Sequence, residues 1–426
     1  MTLPKTLMLS LLLSCPSVEI FAQPTRGGPV VNRTVFQTKT IASVTAVTEV
    51  FGRGQKVSGA VVEYAESLAV SPVAASAFEV NDRTILSARV AAGPDTGAPE
   101  EEGRFVHLAL DPADEAATVF GPDTDKAAEI AVEQVAPLAL ARGGTVAPTE
   151  RAVLNTRVRN LVVDDFQPFR FTDPETGLIL DYNLYIPEGP GPLPLVTFLH
   201  DAGVTGPNPR RVLQQGLGAV AFASPADQAR HPAFVLAPQF PVALANDAGQ
   251  TSVYVEMLPR LLEQLAADHP IDRDRLYVTG QSGGCMSSIA LNLAHPDLFA
   301  ATFCVAGQWD AGTAARLAGT NFWAVVSEDD AKAFPGMGAI MDAIAAEGGT
   351  VARGILDAKA APEAMEQAVA AIRARSPEAH VFFTPFVAGS VLPEGGAGND
   401  GAGHVNTWVH AYAIPAIRDW LFEQRR

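Results

Sequence analysis

Gly280-Gln281-Ser282-Gly283-Gly284 is the segment that most restricts how this chain can fold. It follows an apolar strand candidate, Leu276-Tyr277-Val278-Thr279, and leads into a run of small and apolar residues that reads as a helix from Ser282 to about Ala294. A sharp strand-to-helix turn holds its serine in a strained backbone conformation and projects the hydroxyl above a sheet edge. Glycines on either side let neighbouring backbone approach closely. The helix start then offers N–H groups and a positive dipole end to a developing oxyanion. A glycine-rich turn whose serine only caps the helix would look similar. The nucleophile reading of Ser282 therefore depends on what surrounds it.

The surroundings alternate strands with helices. Leu178 to Ile186, Leu193 to Leu199, Phe234 to Pro238, Phe299 to Val305, Phe322 to Val326 and His380 to Pro385 read as strands. Val253, Met257, Leu258, Leu261, Leu262 and Leu265 recur at helical spacing. Further helices are expected at about 337–347 and 361–375, and a last one from about Asn406 to Glu423. This order predicts an α/β domain over 151–426, a mostly parallel sheet with helices on both faces. Residues 24–150 differ. Val44 to Val50, Val61 to Tyr64, Thr84 to Val90 and Phe105 to Leu110 are short strand candidates between turn-prone stretches, which predicts a small all-β sandwich.

A serine hydroxyl needs a base to take its proton. Of eight histidines, His107 falls in the β-rich region, and His231, His269 and His295 precede prolines. His200 ends a strand, His380 begins one, and His410 sits within a helical pattern. His404 follows a glycine-rich loop and can reach across strand ends. A carboxylate should orient that imidazole. The strand Phe322 to Val326 ends in Ser327-Glu328-Asp329-Asp330, and these residue types alone do not separate Asp329 from Asp330. The order Ser, Asp, His along the chain is the one that α/β-hydrolases use. The backbone amides of Gly283 and Ala202, the latter in the small-residue loop after Leu199, are the candidate oxyanion donors. Trp309 is a candidate lining residue for the acyl pocket, or plain packing. No metal or organic cofactor is implied.

Composition narrows the partners. Nearly half the residues are apolar, and the formal charge is −17. That balance repels phosphate backbones, so nucleic acid is not an expected partner. Residues 1–23 read as an export signal: Lys5, the apolar run Leu7 to Leu13, and cleavage after Ala22. A secreted or periplasmic location follows, with lipid attachment at Cys15 as the alternative. Nothing later is long and apolar enough for a transmembrane segment. Removal of the signal leaves Cys285 and Cys304, which can form a disulfide in an oxidising compartment. Two buried free thiols are the slightly preferred reading. Oligomeric state is not legible.

Several stretches together resemble a known family. These are Thr172-Asp173-Pro174 with Gly177; Tyr182-Asn183-Leu184-Tyr185-Ile186-Pro187; Leu199-His200-Asp201-Ala202-Gly203; Ala237-Pro238-Gln239; Ile271-Asp272 with Arg275 through Gly280; His295-Pro296-Asp297-Leu298-Phe299; and His404 with Trp408. The chain resembles secreted α/β-hydrolase esterases related to polyhydroxybutyrate depolymerases and feruloyl esterases, in the branch with an N-terminal immunoglobulin-like domain. The resemblance implies Ser282, Asp330 and His404 as the triad, with Asp330 preferred because Ala331 stands where the family's proline follows its aspartate. It implies a structural ion pair between Asp272 and Arg275. Two positions depart: Asp201 replaces a usual glycine, and Gly283 replaces a frequent methionine. The expected activity is hydrolysis of small or polymeric carboxylic esters through an acyl-enzyme. A serine peptidase of the prolyl-oligopeptidase-like type and a non-catalytic polymer-binding protein are the alternatives.

Overall fold

The computed structural model describes residues 40–70, 72–393 and 401–426. The export segment, Cys15 and most of the glycine-rich approach to His404 lie outside the described residues.

The N-terminal region is built on a long hairpin, Ile41–Phe51 against Gly54–Leu68. Its sheet runs in the order 157–160, 41–51, 54–68, 103–110, 85–91, with the short strands Thr118–Gly121 and Thr124–Asp125 beside the hairpin. Phe78–Val80, Ala131–Gln134 and Val153–Leu154 form a second, smaller sheet. Alternate residues point to one face of a strand, and here they converge: Val44, Val62, Tyr64, Val106, Leu108 and Val132 share one buried core. Chain beyond the expected boundary at 150 also joins the first sheet. Arg157–Asn160 pairs in parallel with Ile41–Phe51, from Thr45↔Arg157 to Thr48↔Asn160, so this domain's sheets draw on chain up to Asn160.

The second region is an α/β-hydrolase domain around a nine-stranded sheet. In spatial order its strands are 167–172, 179–185, 234–239, 193–199, 271–281, 301–305, 322–325, 381–383 and 351–353. Only Ile179–Tyr185 runs against the rest. The central strands are apolar throughout because both faces are covered. Val196, Phe198, Tyr277, Phe303 and Trp323 pack on one side, and Leu195, Leu199, Leu276 and Val278 on the other. Two of the motif acids noted above, Asp173 and Asp272, are held in ion pairs. Arg260 grips the buried Asp173 at 2.6 and 2.9 Å and holds its carboxyl down to about 2. Arg275 bonds Asp272 at 2.8 Å, as the resemblance implies.

Two expectations need correction. The free-thiol reading fails: Cys285, on the helix Gly283–Ala294, is disulfide-bonded to Cys304, on the strand Ala301–Val305. Their Cα atoms lie 4.9 Å apart across a separation of 19 residues. The crossover that lays this helix on its own sheet brings the two together, which spacing along the chain does not reveal. Closing a loop of this size constrains the unfolded chain by about 3 kcal/mol. Reduction with dithiothreitol, or Cys304→Ala, is expected to lower unfolding stability by about 2–3 kcal/mol in urea titrations. The single last helix is instead two, Ala402–Ala411 and Pro415–Glu423. Pro415 has no N–H to continue the first and suits the first turn of the second.

The two regions meet at the hairpin turn. Gly52 lies against Val409, where an added Cβ would come 2.5 Å from its side chain. Arg53 donates to Asn406 Oδ1, and Gln214 donates to Gln55 at 2.7 Å.

Candidate active site

Ser282 ends the strand Ile271–Gln281 and caps the helix Gly283–Ala294 with φ 53° and ψ −120°. A positive φ is uncommon for any residue with a side chain and marks local strain held by its surroundings. The glycines on either side show why the motif has this form. A Cβ at Gly280 would sit 2.4 Å from the Gly284 backbone, and one at Gly284 would sit 2.0 Å from the Leu199 carbonyl oxygen. Neither position tolerates a side chain while strand, turn and helix stay this close.

His404 lies in the first turn of the helix Ala402–Ala411, two residues inside it rather than ahead of it. Its Nε2 is 2.9 Å from Ser282 Oγ and its Nδ1 is 2.5 Å from Asp330 Oδ2. The Trp408 ring, edge-on at 5.2 Å, fixes the imidazole from the same helix. The Asp330 side chain is 4% exposed and that of His404 29%, so the acid is sealed and the imidazole can meet a substrate. Burial pushes the Asp330 carboxyl up. The His404 hydrogen bond and the Ala333 and Lys332 amides outweigh it, leaving the group below its ordinary value. An ionised Asp330 accepts from Nδ1–H, which leaves Nε2 free to accept the serine proton.

The structure separates the two adjacent acids. Asp330 meets His404, whereas Asp329 accepts from the Gly389 amide at 2.7 Å and pins a neighbouring loop. The other central histidine is also accounted for. His200 is fully buried; its Nε2 accepts from the Phe240 amide at 2.9 Å and its Nδ1 donates to the Asp201 carbonyl at 2.7 Å. Burial lowers its pKa, and it stays neutral and structural.

Gly283 and Ala202 each occupy the first position of a helical turn, Gly283–Ala294 and Ala202–Val204. First-turn amides have no acceptor within their own helix. Both turns leave adjacent paired strands, with Leu199 opposite Gly280. Trp309 is half-buried against the cluster around Cys285, Ile289 and Met337, and it faces the Gly249 loop. No group of three metal-ligating side chains occurs among the described residues. Two cavities of about 620 and 390 Å³ lie in the N-terminal region, against Glu79, Arg83 and Glu133 and against Lys126 and Glu129. Volume does not locate the chemistry here, because neither cavity holds a nucleophile beside a base. Sequence reasoning missed the Asp201–Gln281 contact and the Arg53–Asn406 contact; neither has a motif that would reveal it.

Residues 43–147 match the family model described as the esterase Ig-like N-terminal domain. Among solved structures the chain is similar to a thermostable esterase, with 26% identity and a TM-score of 0.76, covering 90% of this chain and all of that one. It is also similar to a feruloyl esterase module from Clostridium thermocellum in complex with sinapinate, with 12% identity and a TM-score of 0.38 over 59% of this chain and 87% of that one. A ferulic acid esterase aligns at 11% identity and a TM-score of 0.34, over 43% and 87% of the two chains. No curated protein matches the chain.

Proposed function

We propose that this chain, an α/β-hydrolase domain behind an esterase-type immunoglobulin-like domain, is a carboxylic ester hydrolase working through Ser282, His404 and Asp330. The observation that carries the reading is the hydrogen-bond chain from Ser282 Oγ through His404 to Asp330. His404 Nε2 takes the serine proton as Oγ attacks the ester carbonyl carbon. The tetrahedral oxyanion rests on the Gly283 and Ala202 amides. His404 returns the proton to the leaving alcohol, and the acyl group stays on Ser282. Water then attacks with His404 again as base, releasing the acid and restoring the serine.

Bulky or polymeric esters are the substrates we favour. The imidazole is partly open to solvent, and a Cβ added at Gly283, directly after the nucleophile, would meet nothing within 4 Å. Export to an oxidising compartment agrees with the Cys285–Cys304 bridge. The test is labelling with a fluorophosphonate probe beside a panel of p-nitrophenyl, feruloyl, polyester and peptide substrates. Labelling at Ser282 with ester turnover and no peptide cleavage is expected. Peptide cleavage above ester turnover would assign the site to a peptidase, and an unlabelled serine would leave a binding protein.

A further inference from the structure

Asp201 directly precedes the Ala202–Val204 turn, close to a site that must hold negative charge. A free carboxylate there would oppose the oxyanion. In the structure it is not free. Its Oδ1 accepts from the Gly203 amide at 2.6 Å, and its Oδ2 accepts from Gln281 Nε2 at 2.7 Å. Gln281 is 1% exposed and directly precedes Ser282. The backbone of Asp201 is held as well, since its carbonyl accepts from His200, whose other ring nitrogen is fastened to the Phe240 amide.

Each contact has a consequence. Capping the Gly203 N–H takes one of the three amides of the Ala202–Val204 turn out of competition and leaves the Ala202 amide uncapped. Bonding Gln281 ties the turn to the segment that sets Ser282 and the Gly283 amide. The two candidate oxyanion donors come from separate strand ends, and a preorganised pair stabilises the oxyanion only if their spacing is held. Gln281 is neutral, and each carboxylate oxygen of Asp201 accepts from an N–H donor.

We propose that Asp201 is a positioning residue that staples the two halves of the oxyanion site through Gln281. The inference rests on the esterase reading above. Asp201→Gly and Gln281→Ala are each expected to lower kcat on a p-nitrophenyl ester by about 10–100-fold, below the loss of a whole donor, with KM within twofold of the parent protein. An aryl trifluoromethyl ketone, whose hemiketal oxyanion fills the same site, should lose affinity by the same factor as kcat/KM. The double variant should be no worse than the poorer single one, because both changes cut one link. Asp201→Asn keeps an acceptor for Gly203 N–H and should recover part of the loss. Variants within twofold of the parent protein in kcat, losses that multiply in the double variant, or a loss carried by KM would each overturn the staple. Failure of the esterase reading looks different: the unmodified protein itself turns over no ester.

Discussion

Replacing Ser282 with alanine is expected to cut kcat/KM for p-nitrophenyl acetate by about 10⁴–10⁶-fold with the fold intact, since the triad acts as one unit. The more discriminating variants lie at the acid. Asp330 Oδ1 takes the Lys332 and Ala333 amides, at 3.1 and 2.9 Å, so an amide introduced by Asp330→Asn keeps its oxygen there and turns its NH₂ toward His404. The imidazole must then accept at Nδ1 and carry its proton at Nε2, facing Ser282, where it cannot act as a base. A loss of about 10⁴-fold is expected from such a tautomer reversal. Asp329→Asn, whose carboxylate serves the Gly389 amide, should stay within about threefold, as a loop contact removed away from the triad. Steady-state kinetics on the three variants, with thermal melts as a folding control, measure this. Equal losses at 329 and 330, or an active Ser282→Ala, would reject the assignment.

The largest expected effect on stability lies at a buried ion pair outside the candidate site. Arg418, on the helix Pro415–Glu423, donates to Asp227 at 2.6 and 2.8 Å, and both side chains are almost fully buried. Its remaining nitrogen donates to the Tyr412 carbonyl, so one guanidinium ties the chain end to the helix Pro225–Arg230. Asp227→Ala strands a buried cation and is expected to cost about 3–5 kcal/mol in urea unfolding, whereas exchanging Asp227 and Arg418 together for apolar residues should recover most of it. The pH dependence follows from the same contact. Burial raises the Asp227 carboxyl, but Arg418 and then Arg230 outweigh it and leave its pKa below the ordinary value. Its stabilisation is therefore complete above the ordinary carboxylate range and drains away as pH falls below it. The parent protein should lose stability in acid more steeply than the doubly apolar variant. Parallel pH profiles would show that the pair contributes nothing.

Much of the candidate site could be read along the chain because local rules produce it. The apolar strand, the glycines and the helix after Ser282 are all contiguous, and the elbow is a local conformation. His404 could be picked out because the other histidines had local explanations. Asp329 and Asp330 could not be distinguished that way. Adjacent residues on one loop differ only in direction, and direction is set by what stands opposite: Gly389 for one, His404 for the other. The strand beyond residue 150 is not legible in the sequence for a related reason. Arg157–Asn160 has little apolar patterning of its own and becomes sheet through pairing with Ile41–Phe51.

The sequence by itself determined most of the strands and helices, the glycine-flanked turn at Ser282 and the set of groups from which a triad could be drawn, since periodicity and turn chemistry act over a few neighbouring residues. Only the tertiary structure decided which acid faces the imidazole, that Cys285 and Cys304 are joined, and that Asp201 grips Gln281. Those are contacts between segments that the chain keeps apart, and closeness in space is a property of packed layers rather than of spacing along a polypeptide.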